Sequence, residues 1–127
     1  MSDKVALLKH LYSRFNARDM ENVLAAIDED VIWANGMDGG HVYGRVGVRS
    51  YWTRQWAMVD PHVEPVGFSD GHDGEVIVEV HQVVRDLNGD LLLDKKVGHV
   101  FRIENGLVKR FDIQDAESSR FRAEPPV

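Results

Sequence analysis

There is no cysteine in this chain, which removes disulfides, thiolate nucleophiles and cysteine-held zinc or iron–sulfur centres. Proline stands at four positions only, Pro61, Pro65, Pro125 and Pro126, far from a collagen-like or proline-rich composition. No stretch approaches the roughly 18 consecutive apolar residues of a membrane span, and the opening MSDKVALLKH lacks the apolar core of a signal peptide. Lys and Arg never cluster. Fifteen of them stand against twenty-one Asp and Glu, a formal charge of −6 that makes nucleic acid and anionic membranes poor partners. Six histidines have no ligand-like spacing, with His10, His41, His62 and His72 on a helix or in loops, so no metal site is expected. There is no P-loop, no Gly-x-Gly-x-x-Gly and no His-Glu-x-x-His, and no cofactor is expected either. These absences describe a soluble cytoplasmic domain.

What is present fits a single globular unit. The 127 residues are 43% hydrophobic and 28% charged, enough for one core without staples. Apolar residues at Val5, Leu7, Leu8, Leu11, Tyr12 and Phe15 have helical spacing, and Ser2 or Asp3 can cap the first turn. Asp19 is placed to cap a second short helix that buries Met20, Val23, Leu24 and Ile27. The segment 30–35 reads as a strand, followed by a loop with Gly36, Gly39, Gly40 and Gly44. A third helix is expected from about Arg45 to Met58, closed by Pro61.

The second half has strand periodicity. Val63 to Phe68 reads as a strand in which Pro65 demands an edge or a bulge. Glu75 to Arg85, Leu91 to Ile103 and Leu107 to Gln114 are joined by Asn88-Gly89 and Asn105-Gly106, both two-residue hairpin signals. The expected architecture is α+β, three N-terminal helices packed on a curved antiparallel sheet, over residues 1–115, with a polar tail at 116–127. The strand 75–85 has two credible faces. One carries Val76, Val78, Val80, Gln82 and Val84; the other carries Glu75, Ile77, Glu79, His81, Val83 and Arg85. Periodicity alone leaves both orientations open, because a one-residue slip exchanges them.

Several segments, taken in order, resemble the nuclear transport factor 2-like superfamily, which includes ketosteroid isomerases, scytalone dehydratase and SnoaL-like polyketide cyclases. They are Phe15-Asn16-Ala17-Arg18-Asp19, Asp30-Val31-Ile32-Trp33, Gly44 through Trp52, and His99 through Val108. The resemblance spans about residues 4–115 and implies a cone-shaped α+β barrel with a ligand cavity inside. Laid on the chain, it turns Trp33, Asn35, His81, Val83, His99, Phe101, Phe111, Ile113 and Asp115 toward the cavity, with Tyr51 and Trp52 above it. The valine face then lies outside, where four aligned valines favour a homodimer through the outer face of the sheet.

The ketosteroid isomerase machinery, a carboxylate base with a tyrosine and a protonated carboxylic acid, falls on Asn35, Leu11 and His99. Asn35 has no usable basicity, and Leu11 offers no hydrogen bond, while Tyr12 lies next to it on a different helical face. The chain is therefore not a ketosteroid isomerase of the familiar kind. The candidate catalytic residues are His81, His99, Asn35, Glu79 and Asp115. The candidate substrate contacts are Trp33, Tyr51, Trp52, Val83, Phe101, Phe111 and Ile113. Two functions follow: a cofactor-independent isomerase, dehydratase or cyclase acting on a small apolar organic molecule, or a non-catalytic ligand-binding or dimerisation module.

Overall fold

The structure, a computed structural model, describes residues 3–114; Asp115 and the tail 116–127 lie outside the described residues. Helix α1 (Asp3–Asn16) buries Val5, Leu8, Leu11 and Tyr12, the stripe its periodicity predicts. Asp19 caps α2 (Met20–Ala25), its carboxylate accepting from the Asn22 amide. Strand β1 (Ile27–Ala34) leads through a loop into β2 (His41–Tyr43), a short strand that the glycine-rich composition concealed. Helix α3 (Gly44–Met58) follows at once. Gly44 makes that entry with φ +74, and a Cβ there would lie 3.1 Å from the Glu29 carbonyl oxygen, so only glycine fits. The remaining strands are β3 (Val59–Asp70), β4 (Val76–Asp86), β5 (Leu91–Glu104) and β6 (Leu107–Gln114).

The six strands form one curved, open sheet in the order β2-β1-β6-β5-β4-β3, with edges at β2 and β3 rather than a closed barrel. It is mixed, not purely antiparallel, because β1 runs parallel to β6. Strand β3 is an edge with a bulge between Pro65 and Gly67, which accommodates a residue that has no amide to donate. The side chain of Asn16, at the end of α1, pairs with this strand. It donates to the Val63 carbonyl at 2.8 Å and accepts from the Val63 amide at 3.0 Å. Arg18, two residues on, bonds the Pro61 carbonyl at 2.6 Å and the Asp60 carboxylate, so this segment docks α1 onto β3.

The two Asn-Gly turns differ. At Asn105-Gly106 both residues have positive φ, 53° and 77°, as a two-residue hairpin requires. At Asn88-Gly89 only Gly89 does, and Asp86 and Asp90 close a three-residue loop. A bulge between Val84 and Arg85 absorbs the extra residue, and Val84 then faces Leu93.

The orientation expected for β4 is reversed. Val76, Val78 and Val80 are 4%, 0% and 0% exposed and belong to the core under the helices. Glu79 and His81 lie on the outer face, where Glu79 meets Lys96 at 3.9 Å and His81 Nε2 meets Asp94 at 2.6 Å. Burying those two would strand their charges, whereas burying the valines loses nothing polar. Val83 shares the outer face with them. The exposed valine patch that argued for sheet-to-sheet pairing is thus the core itself. Val78→Asp is expected to destabilise the fold by about 4 kcal/mol or more, and His81→Ala by about 1 kcal/mol or less. Urea unfolding of the two variants measures both.

Candidate functional site

A cavity of about 310 Å³ opens between the helices and the concave face of the sheet. Its walls are aromatic and rigid. Trp33 stacks on Phe111 with ring centroids 4.3 Å apart and meets Trp52 edge-on at 5.3 Å, while Phe101 lies 5.1 Å from Phe111. Among the described residues, no Asp, Glu, Lys or Arg lines the cavity.

Two paired polar groups and the side chain of Gln82 interrupt this wall. The first joins α1 to β5: the Tyr12 hydroxyl and His99 Nδ1 are 2.7 Å apart, with the rings stacked at 11°. His99 is opposite Val78 on β4 and Ile113 on β6, and its ring edge meets Phe111 at 4.7 Å. Burial pushes the His99 imidazole down to about 3 and raises the Tyr12 phenol well above its ordinary value. Both groups are therefore neutral across the physiological range. If Tyr12 donates to Nδ1, Nε2 carries a hydrogen; if Nδ1–H donates to the Tyr12 oxygen, the phenol proton is free. Each arrangement offers a ligand one donor and one acceptor.

The second polar group sits on α3 and the β1–β2 loop. The Tyr51 hydroxyl accepts from the Gly36 amide at 3.0 Å and from Gln55 Nε2 at 3.4 Å. Burial raises the Tyr51 phenol, against the opposing pull of the Gly36 and Met37 amides. Gln82, the one polar residue of the valine face, also lines the cavity.

The structure places Trp33, Tyr51, Trp52, His99, Phe101, Phe111 and Ile113 together on the cavity wall. His81, Glu79 and Val83 are on the other side of the sheet, so the expected meeting of His81 and His99 does not occur. Asn35 holds the β1–β2 turn, its Oδ1 accepting from the Met37 and Asp38 amides at 3.0 and 2.9 Å, and it lines a second pocket that adjoins the first. Asp115 lies outside the described residues. Among the described residues, no three His, Asp or Glu side chains gather as a metal site.

Tyr12, Gln55 and Gln82 are the polar lining residues that sequence reasoning passed over. Tyr12 and Gln55 sit in apolar stripes of their helices. The signal was available, since the hydroxyl of a tyrosine on a buried stripe must find a partner. The alignment placed the isomerase tyrosine at Leu11, one residue from the side chain that reaches His99.

The sequence profile of a family described as a SnoaL-like domain matches residues 8–111. An NTF2-like protein of unknown function from Burkholderia pseudomallei is 26% identical, with a TM-score of 0.79 over 99% of this chain and 100% of that one. TerC, co-crystallised with polyporic acid, is 22% identical, with a TM-score of 0.78 over 97% of this chain and 99% of its own. A Mycobacterium tuberculosis protein in complex with estradiol-17β-hemisuccinate is 16% identical, with a TM-score of 0.75 over 87% of this chain and 92% of that one. No curated protein matches this chain.

The buried histidine carries a stability signature. Its folded value of about 3 lies below its ordinary value of 6.5, so the unfolded chain binds the extra proton between them. This contribution is fully retained above the ordinary value and is lost as pH falls toward the folded one. His99→Asn, which keeps a hydrogen-bonding partner for Tyr12, removes the slope. Between about pH 7 and about pH 4.5 the unmodified protein is expected to lose about 2–3 kcal/mol more than the variant. Urea titrations at the two pH values measure the difference.

Proposed function

The chain belongs to the SnoaL-like domain family, and from its buried Tyr12–His99 pair we propose a cofactor-independent proton-transfer enzyme acting in the cytoplasm. It takes a small, uncharged, largely apolar organic molecule that carries a carbonyl. The reaction class is isomerisation, with dehydration and cyclisation sharing the same enol chemistry. The observation that carries this reading is the 2.7 Å hydrogen bond between Tyr12 and His99 inside a cavity that no charged side chain among the described residues lines. A charged ligand would have no counter-charge there. Of two solved proteins of similar fold, one was co-crystallised with polyporic acid and the other is in complex with estradiol-17β-hemisuccinate, so small organic ligands suit this fold.

Such a cavity disfavours tyrosinate and imidazolium, and a relay through the pair avoids both. With Nδ1–H donating to Tyr12, the phenol proton passes to the ligand's carbonyl oxygen, and Nε2 takes a proton from the neighbouring carbon. The Nδ1 proton moves to Tyr12, leaving an enol and a neutral pair with the imidazole proton on Nε2. For an unsaturated ketone, Nε2–H then delivers its proton to a carbon further along. The phenol proton returns to Nδ1 as the enol proton returns to Tyr12. The double bond has moved and the starting tautomer is restored.

A non-catalytic ligand-binding module is the second reading. It is favoured by the lack of a carboxylate lining the cavity among the described residues and by the low basicity of His99. Pairing of two chains through the outer sheet face rests on the half-buried Ile77, Val83 and Val100 of that face, and light scattering at micromolar concentration decides it.

Exchange at carbon separates the two readings of the cavity. The unmodified protein is expected to accelerate deuterium uptake into the methyl group of acetylnaphthalene in heavy water by about 100-fold or more, followed by NMR. Tyr12→Phe is expected to remove most of that acceleration. Binding of the ketone with no acceleration over buffer leaves the binding module standing and removes the enzyme.

A further inference from the structure

The second polar group of the cavity has a vacancy of its own. Gln55 Oε1 is buried and has no hydrogen-bond partner among the described residues. An amide oxygen left unpaired in an apolar wall carries a desolvation penalty that a ligand can relieve. Beside it, the Tyr51 oxygen already receives hydrogens from the Gly36 amide and from Gln55 Nε2, so both its lone pairs are used and its own O–H remains to be given. Tyr51 thus offers a donor and Gln55 an acceptor, next to each other on one turn of α3. Only a group that both donates and accepts satisfies the two together. A hydroxyl does so, whereas an ether or a ketone leaves Oε1 unpaired.

We propose that Tyr51 and Gln55 form a hydroxyl-reading subsite, and that the ligand is an uncharged, flat, ring-bearing molecule with a carbonyl at one end and a hydroxyl at the other. The carbonyl half of this statement rests on the Tyr12–His99 reading above. The hydroxyl half does not, since Tyr51 and Gln55 come from a different element and no hydrogen bond among the described residues joins them to Tyr12 or His99. The body between the two ends lies against Trp33, Trp52 and Phe111, which suit a planar ring system. A carboxylate or phosphate at either end is selected against, because no cationic side chain among the described residues lines the cavity.

Three probes of one shape test this by calorimetry or fluorescence: acetylnaphthol with its acetyl and hydroxyl groups on opposite rings, its methyl ether, and acetylnaphthalene. The unmodified protein is expected to bind acetylnaphthol about tenfold more tightly than either of the others. Gln55→Met is expected to bring acetylnaphthol down to the affinity of its methyl ether, since only the acceptor that distinguishes a hydroxyl from an ether is lost. Tyr12→Phe is expected to weaken all three alike. Equal affinities on the unmodified protein, binding by none of the three, or a hydroxyl preference that survives Gln55→Met overturns the subsite. Should Gln55→Met fail to fold, the comparison on the unmodified protein decides alone. Equal affinities together with a uniform loss in Tyr12→Phe sink the subsite and leave the carbonyl pair. A hydroxyl preference lost in Gln55→Met, with Tyr12→Phe without effect, does the reverse.

Discussion

Residues directly opposed in an antiparallel pair lie on the same face of the sheet. In β4 and β5 this puts His99 with Val78 under the helices, and His81 with Lys96 on the far side. Everything chemical in this molecule follows from that register. With Val76, Val78 and Val80 as the floor of the core, the same face of β5 supplies His99 and Phe101, and β6 supplies Phe111 and Ile113. The bulge between Arg102 and Ile103 matters here. It brings Phe111 opposite Phe101 and Ile113 opposite His99, so that the aromatic residues of both strands share the cavity side. Without it, Asp112 would stand opposite His99. Instead, Asp112 lies on the outer face. Burial works to raise its carboxyl, but hydrogen bonds from Arg110 and His41 outweigh that and hold it below the usual carboxylate range.

Much of this was legible in the sequence, and the main miss could have been avoided. The helical stripe of α1, the Asp19 cap, the span of α3 and the three long strands all follow from periodicity and turn chemistry. Strand β2 was hidden because its three residues sit among glycines. The family resemblance puts His81 and His99 on one face, and the parity of β4 separates them. The Asn88-Gly89 turn already forbids a shared face. A two-residue loop there sets Val84 against Leu93 and Val78 against His99, and the observed three-residue loop with its bulge arrives at the same partners. What no periodicity shows is whether a polar atom in an apolar stripe has found a partner. Tyr12 has one in His99, and Gln55 Oε1 has none among the described residues. That is a matter of three-dimensional distance.

The absence of charge from the cavity wall, among the described residues, ties stability to chemistry. Desolvation acts on His99 and Tyr12 in opposite senses on the pH scale yet toward one end, the neutral form of each. A pair so placed is a poor store of charge and a good conduit for protons, provided each proton that leaves one nitrogen is matched by one arriving at the other. The aromatic rings serve the same end. Trp33, Phe101 and Phe111 hold the imidazole edge-on or pack against its neighbours, leaving it little freedom to turn toward water. The protein accepts a buried histidine that weakens it in acid, and the same burial keeps that histidine uncharged. A solvent-facing histidine such as His81, already engaged with Asp94 and close to bulk water, offers no such environment. The buried position, rather than the histidine itself, makes His99 the candidate.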